Sequence, residues 1–365
     1  MTNKKHFKLA VIPGDGIGED VINEGLRVLN FLAENSNGEF SFETDFFPWG
    51  SDYYLEHGKM MAEDGLDQIK DHDAIYFGAV GSPEVPDHIS LWGLRIAICQ
   101  GFDQWANIRP VEFLPGVESK LNHPEKEKLD WVLIRENTEG EYSGIGGRNF
   151  TGRGPGQEVA VQSSLFTEKG CERIIRHAFE VARTRKRKKV TSVTKSNAQQ
   201  YGMVLWDEVF DRVSKEYPDV ETDQWLVDAM AANFVLYPED LEVVVASNLL
   251  ADILSDLGSA LAGSLGIAAS ANLNPDRRYP SMFESVHGSA PDIVGKGIAN
   301  PIGTIGSAAL MLEHLGLEKE ASFVNQAIRD ATASGALTPD LGGKTSTTEM
   351  TDSIIEHLAA MYEKA

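Results

Sequence analysis

The stretch Glu242–Asp256, EVVVASNLLADILSD, decides how the chain is read. Val243–Ala246 is a short apolar run bounded by polar residues, the signature of a buried strand. From Asn248 onward, Leu249, Ile253 and Leu257, with Leu250 and Leu254, recur at helical spacing and are expected to face inward. Asn248, Asp252, Ser255, Asp256 and Ser259 fall on the opposite stripe. Two aspartates one turn apart repel each other unless a cation lies between them, and carboxylates suit Mg²⁺ or Mn²⁺. The pair alone leaves open the plainer reading, the solvated face of an amphipathic helix. A buried strand running into such a helix is an α/β element, and the rest of the chain must say which.

With 365 residues the chain exceeds one comfortable core, so two domains are expected. A net charge of −22 argues against a nucleic-acid partner, because phosphates would be repelled. The exception is Arg183–Lys189, RTRKRKK, which falls at the end of a helical pattern, where cations complement the helix dipole. Two cysteines, Cys99 and Cys171, lack zinc-like spacing and fit a reducing compartment. The apolar run near the start is cut by Pro13-Gly14-Asp15 too early for a signal peptide, and no run approaches a membrane span. A cytoplasmic protein without a membrane partner is expected.

Elsewhere the chain alternates strands and helices. Lys8–Ile12 reads as a strand followed by the turn PGDGIGED and a helix burying Val21, Gly25, Val28, Leu29 and Leu32. Gly14, Gly16 and Gly18 suggest a dinucleotide turn, but the G-x-G-x-x-G fingerprint fails at Glu19. Either the backbone approaches something closely here, or this is a plain tight turn. Asp73–Gly81 and Trp131–Ile134 are further buried strands, and Ser90 is placed to cap one helix, SLWGLRIAICQGFDQ, carrying Arg95 and Cys99. Arg95, Arg109 and Arg135 lie near strand ends, where guanidinium forks suit carboxylates, although each alone could be structural. EVAVQSSLFT, after a glycine-rich loop, alternates apolar and polar residues like a strand left for a partner. Lys195 ends another strand, either solvated or working as a base, and Asp228 sits where it could cap a helix. FESVHGSAPDIVGKGIANP looks like a binding loop rather than a core strand, and Ser346–Glu349 form a capping box for the last helix.

In that order, VIPGDGIGED, ANIRP, RENTEGEYS, the Lys195 segment, VDAM, SNLLADILSDL and HGSAPDIVGKGIANP resemble the β-decarboxylating dehydrogenases, the isopropylmalate, isocitrate and tartrate/D-malate enzymes. The resemblance spans nearly the whole chain. It implies an α/β fold of two domains, a twisted mixed sheet flanked by helices that is not a classical Rossmann fold. One domain would comprise residues 1–104 plus 263–365 and the other 105–262, with an arm at about 144–167 clasping a partner in a homodimer.

The same resemblance implies the site. Asp228, Asp252 and Asp256 would surround Mn²⁺ or Mg²⁺, with Asp228 arriving from the second subunit. Arg109 and Arg135 would hold substrate carboxylates. Lys195, also from the partner, would be the general base, and Tyr142 the acid that protonates the enol. His287, Gly288, Ser289, Ala290, Asp292 and Asn300 would line NAD, and relatives often need a monovalent cation such as K⁺. One departure stands out: ten residues before Arg109 the family usually has arginine, and here it is Cys99. The substitute is Arg95, expected beside the substrate's third carbon, where it would favour tartrate or D-malate over 3-isopropylmalate. The alternatives are an isopropylmalate dehydrogenase and a redox-silent dicarboxylate-binding protein.

Overall fold

The computed structural model describes residues 4–123, 125 and 128–364, so Met1–Asn3 and Ala365, the extremities of the expected outer domain, lie outside it. The chain forms two compact units, Met1–Gln104 with Arg109–Leu129 and Gly258–Ala365, and Trp105–Ile108 with Asp130–Leu257. Residues 109–129 and 258–262, assigned from sequence to the central domain, fold with the chain ends instead. The Ser119 hydroxyl donates to the Leu261 carbonyl at 2.6 Å, and a side chain at Gly116 would strike the Thr332 carbonyl. These close fits tie both segments to the first unit.

In the first unit β1 (Lys5–Gly14), β2 (Phe40–Phe46) and β3 (Ala74–Ala79) pair in parallel with β1 in the middle. β4 (Ala106–Glu112) carries residues of both units. In the second unit β5 (Asp130–Glu136) is followed by the hairpin β6 (Gly146–Asn149) and β7 (Val159–Gln162), then β8 (Lys189–Thr194), β9 (Glu221–Leu226) and β10 (Val243–Ala246). These run in the order β5-β10-β8-β9, all parallel. β11 (Ala269–Leu273) and β12 (Ser281–Ser285) return to the first unit, where β12 pairs in parallel with β3 and antiparallel with β11. Both units thus join strands to flanking helices, and the first has a mixed sheet.

Val243–Ala246 is the strand the sequence promises, buried at every residue, and it runs into the helix Asn248–Ala262. That helix is rotated from the expected stripe. Leu250, Ala251, Leu254, Ser255 and Ser259 are buried, whereas Ile253 is 57% exposed. Small side chains let the backbone approach its neighbours, and the leucine-rich pattern hides this because apolar residues lie on both faces. Three other expectations change. The helix expected from Ser90 is two helices, Asp87–Gly93 and Arg95–Gly101, broken at Leu94, and Ser90 lies inside the first. Asp228 is in the first turn of the helix Val227–Leu236, whose cap position is Leu226. The expected binding loop begins with the fully buried strand β12, whose adjacent polar residues Glu284 and Ser285 masked it.

The glycine turn after β1 is a site of close approach, and what it approaches is protein. A Cβ on Gly16 would sit 2.1 Å from the Ser289 carbonyl oxygen, and one on Gly18 2.2 Å from that of Pro13. Ile17 N–H donates to the Ser289 carbonyl at 2.9 Å. Asp15, buried between them, accepts from the Ser51 amide (2.6 Å), the Ser51 hydroxyl (2.7 Å) and the Gly81 amide (2.7 Å). One carboxylate therefore joins the loops that follow β1, β2 and β3. The capping box is present as read: Ser346 and Glu349 satisfy each other's backbone amides, and Met350, Ile354 and Leu358 are buried.

Candidate active site

The second unit holds six of the residues expected to act: Arg135, Tyr142, Lys195, Asp228, Asp252 and Asp256. Arg135 is the penultimate residue of β5, its side chain 3% exposed. Asn248 Oδ1 accepts from its Nε at 3.0 Å and its Nη2 at 2.6 Å, and Nη1 pairs with Asp252. The Tyr142 ring, on the short turn Glu141–Ser143, has its centroid 5.5 Å from the Arg135 guanidinium carbon. Asp252 is partly exposed and Asp256 exposed, one turn apart on the same helix. Lys195, directly after β8, donates to Asp228 Oδ1 at 2.5 Å. That bond holds the Asp228 carboxyl below its ordinary range, and its side chain is 67% exposed.

As a cation site, one chain offers Asp252 and Asp256 as oxygen donors, a set that suits a hard divalent ion. Among the described residues no group of three such side chains comes together in one chain. Asp228 faces Lys195 instead. One chain supplies part of the expected ligand set.

The turn from β5 to Tyr142 is shaped by Glu136, whose role sequence reasoning missed. Its buried carboxylate accepts from the amides of Thr138 (3.1 Å) and Glu139 (2.7 Å) and from the Thr138 hydroxyl (2.8 Å). Burial pushes its carboxyl up to about 7 against those bonds. Arg173 braces the same hydroxyl at 2.7 Å. The signal available was R-E-N-T-E itself, an acid followed by a hydroxyl two residues on.

In the first unit Arg109 is buried on β4. Arg95 opens its helix and pairs with Glu284 on β12 at 2.6 Å through Nη2 and 2.8 Å through Nε. Asn272 on β11 completes the cluster, accepting from Arg95 at 3.2 Å and donating to Glu284 at 2.6 Å. The charge expected to meet substrate is thus balanced by a carboxylate within its own unit. Cys99 belongs to the apolar cluster that includes Leu94, Ile98 and Phe102.

The expected NAD loop divides. His287 Nδ1 lies 2.9 Å from the Gly288 carbonyl, Nε2 has no hydrogen-bond partner among the described residues, and desolvation lowers the pKa of the ring. Gly288 and Asp292 are exposed, and Ala290 holds a left-handed φ of 39°. Asn300 is buried and committed internally: Nδ2 donates to Asp340 at 3.0 Å and Oδ1 accepts from the Ile302 amide at 3.0 Å. It anchors the end of the loop, while Ser289 meets the glycine turn.

The family model of isocitrate/isopropylmalate dehydrogenases matches residues 8–354. The chain belongs to that family. A probable tartrate dehydrogenase/decarboxylase of Agrobacterium vitis is 55% identical over 355 residues, 97% of this chain and 98% of that one. The D-malate dehydrogenase (decarboxylating) of Escherichia coli is 49% identical over 96% of this chain and 98% of its own. Among solved structures, isocitrate dehydrogenase from Methylococcus capsulatus superposes with a TM-score of 0.85 at 34% identity, covering 96% of this chain and 99% of that one. The chain is an enzyme, a dehydrogenase of a family whose members generally use NAD and a divalent metal. The alternative of a redox-silent binding protein falls with that membership. No helix among the described residues is long and apolar enough to cross a membrane.

Proposed function

We propose that the enzyme oxidises small polar 2-hydroxy diacids of the malate and tartrate type with NAD, and decarboxylates those whose keto product carries a β-carboxylate. The full-length likeness to the tartrate and D-malate enzymes carries this reading. Arg109 and Arg135 bind the substrate's carboxylates and Lys195 takes the proton from the C2 hydroxyl, while NAD, when bound, would supply the acceptor for the C2 hydride. Loss of CO₂ from the β-keto acid leaves an enol that Tyr142 protonates at carbon. Asp252 and Asp256 would help hold a divalent cation, which would supply stabilisation of negative charge on the C2 oxygen in both stages. Asp292 accepts hydrogen bonds from free ribose hydroxyls and repels a 2′-phosphate, which favours NAD over NADP.

We further propose that the active form is a homodimer whose sites are shared. The hairpin β6–β7 is exposed along both strands, with Val159 48% and Val161 57% exposed, an apolar surface that suits a second copy. Lys195 and Asp228 lie together on one chain and would complete the Arg135, Asp252 and Asp256 set of the other.

The test is NADH absorbance with Mn²⁺, NAD and a panel of D-malate, tartrate isomers and 3-isopropylmalate. The Arg95–Glu284 pair weakens the sequence-based objection to an apolar side group, so 3-isopropylmalate belongs in the panel. The expected result is turnover of D-malate and tartrate well above it. Preference for 3-isopropylmalate would overturn the substrate assignment.

A further inference from the structure

Arg135 is held by a residue to which no part of the chemistry above gives a role. Asn248, first residue of its helix, is 2% exposed. Two N–H groups of Arg135 converge on its side-chain oxygen, which settles the amide's orientation, since the NH₂ end would oppose donors with donors. A third N–H goes to Asp252. Of the five guanidinium hydrogens this leaves one on each terminal nitrogen for a bound anion.

The partner's chemistry matters as much as its position. An amide oxygen fixes one edge of the fork without cancelling the charge, so Asn248 itself takes nothing from the cation's attraction for a carboxylate, and the counter-charge beside it is that of Asp252. An aspartate here would hold the edge equally well and neutralise it. The Tyr142 ring lies against the guanidinium as well, and the chain passes from Arg135 to Tyr142 through Gly140, whose φ is +70° and where a Cβ would lie 3.5 Å from Asn248 Cβ. Strand end, turn and helix start therefore meet at one amide.

We propose that Asn248 is a positioning residue that aims the Arg135 fork at a substrate carboxylate without touching substrate itself. This rests on the reading that Arg135 grips the substrate, and the test separates the two. Steady-state kinetics with D-malate, Mn²⁺ and NAD are measured for Asn248→Ala, Asn248→Asp, Arg135→Ala and the Arg135→Ala/Asn248→Ala double variant. Asn248→Ala is expected to raise KM for D-malate by about 10- to 100-fold, the worth of a charge-assisted contact, with kcat changed less than about threefold and KM for NAD unchanged. Asn248→Asp should raise it at least as much, because shape is kept and charge is lost. In the Arg135→Ala background the further loss of Asn248 should change kcat/KM by less than about twofold.

A purely structural Asn248 predicts additive losses and a matching fall in kcat. Additivity, or an unchanged KM in Asn248→Ala, overturns the proposal. If Arg135→Ala itself keeps the wild-type KM, the substrate reading of Arg135 fails and takes this inference with it. Should Asn248→Ala not fold, Asn248→Leu, which fills a similar volume without an oxygen acceptor, enters the same cycle with the same criteria.

Discussion

Two arginines expected to meet the same substrate sit in opposite electrostatic settings. Arg95 in the first unit is clasped by a buried carboxylate, Glu284, and an amide, Asn272. Arg135 in the second is held by an amide, Asn248, and by Asp252, a carboxylate whose side chain is 36% exposed and has other work in prospect. The first cation is spent within its own unit. The second would have charge free for a ligand if Asp252 takes up the proposed divalent cation. Identity and spacing mark both residues alike, and the difference lies in what stands opposite.

The largest way to break this contrast is at Asp252. Asp252→Asn should lower kcat roughly a hundred- to a thousandfold at an unchanged melting temperature, since a side chain with one neutral oxygen serves neither a metal ion nor a developing charge. An active variant, or full activity after chelation, removes the basis of the site. If sites are shared, mixing Asp252→Asn with Lys195→Ala, each inactive alone, should restore activity through hybrid dimers, each with one intact site. No recovery in subunit-exchanged mixtures would argue for complete sites within single chains.

Next in size is Arg95→Leu. From sequence this change should relax substrate choice. With Glu284 opposite, it should first cost stability, about 3–5 kcal/mol, because a buried carboxylate loses its counter-charge. Replacing both partners, as Arg95→Met with Glu284→Met, should recover most of that in urea unfolding. If Arg95→Leu instead shifts the D-malate to 3-isopropylmalate ratio of kcat/KM with no change in stability, Arg95 is a selector after all.

The smallest expected effect concerns pH. Glu136 has its carboxyl pushed up to about 7 by burial, above its value in the unfolded chain. Between the unfolded value and 7 the folded chain holds a proton that the unfolded chain has released. Its contribution to stability therefore falls as pH rises through that window and stays constant above it. Glu136→Gln should remove this slope, read as the difference in urea midpoint between variant and wild type at pH 5 and pH 7.5. Parallel curves would mean that the surrounding amides hold the group ionised.

What the sequence made legible follows periodicity and local chemistry. The strand Val243–Ala246, the closing capping box and the failed dinucleotide fingerprint were readable because each depends on residues within a few positions. β12 was not, because Glu284 is satisfied by distant residues, Arg95 and Asn272 at its carboxylate and Ser307 at its carbonyl, rather than by solvent, and Ser285 is buried with no partner for its hydroxyl among the described residues. The rotation of the helix after β10 was hidden in the same way, since Ala251 and Ser255 pack inward by being small. At the site, the types and order of the residues expected to act were visible, while the partners that hold the arginines, Asn248 and Glu284, come from segments more than 100 residues away in sequence.

The Asp15 carboxylate has a consequence for how the molecule is made. The loops it joins, at residues 15, 51 and 81, leave the ribosome early and can close on one another as soon as β3 exists. The segment that completes this corner, β12 and then Ser289, follows some 200 residues later. At about 5–20 residues per second that is a wait of roughly 10–40 s. Throughout it β3, apolar and paired on one side by β1, presents an open edge that only β12 fills. The nascent chain thus carries an open strand edge for most of its synthesis, and slow translation of the middle segment would prolong that exposure.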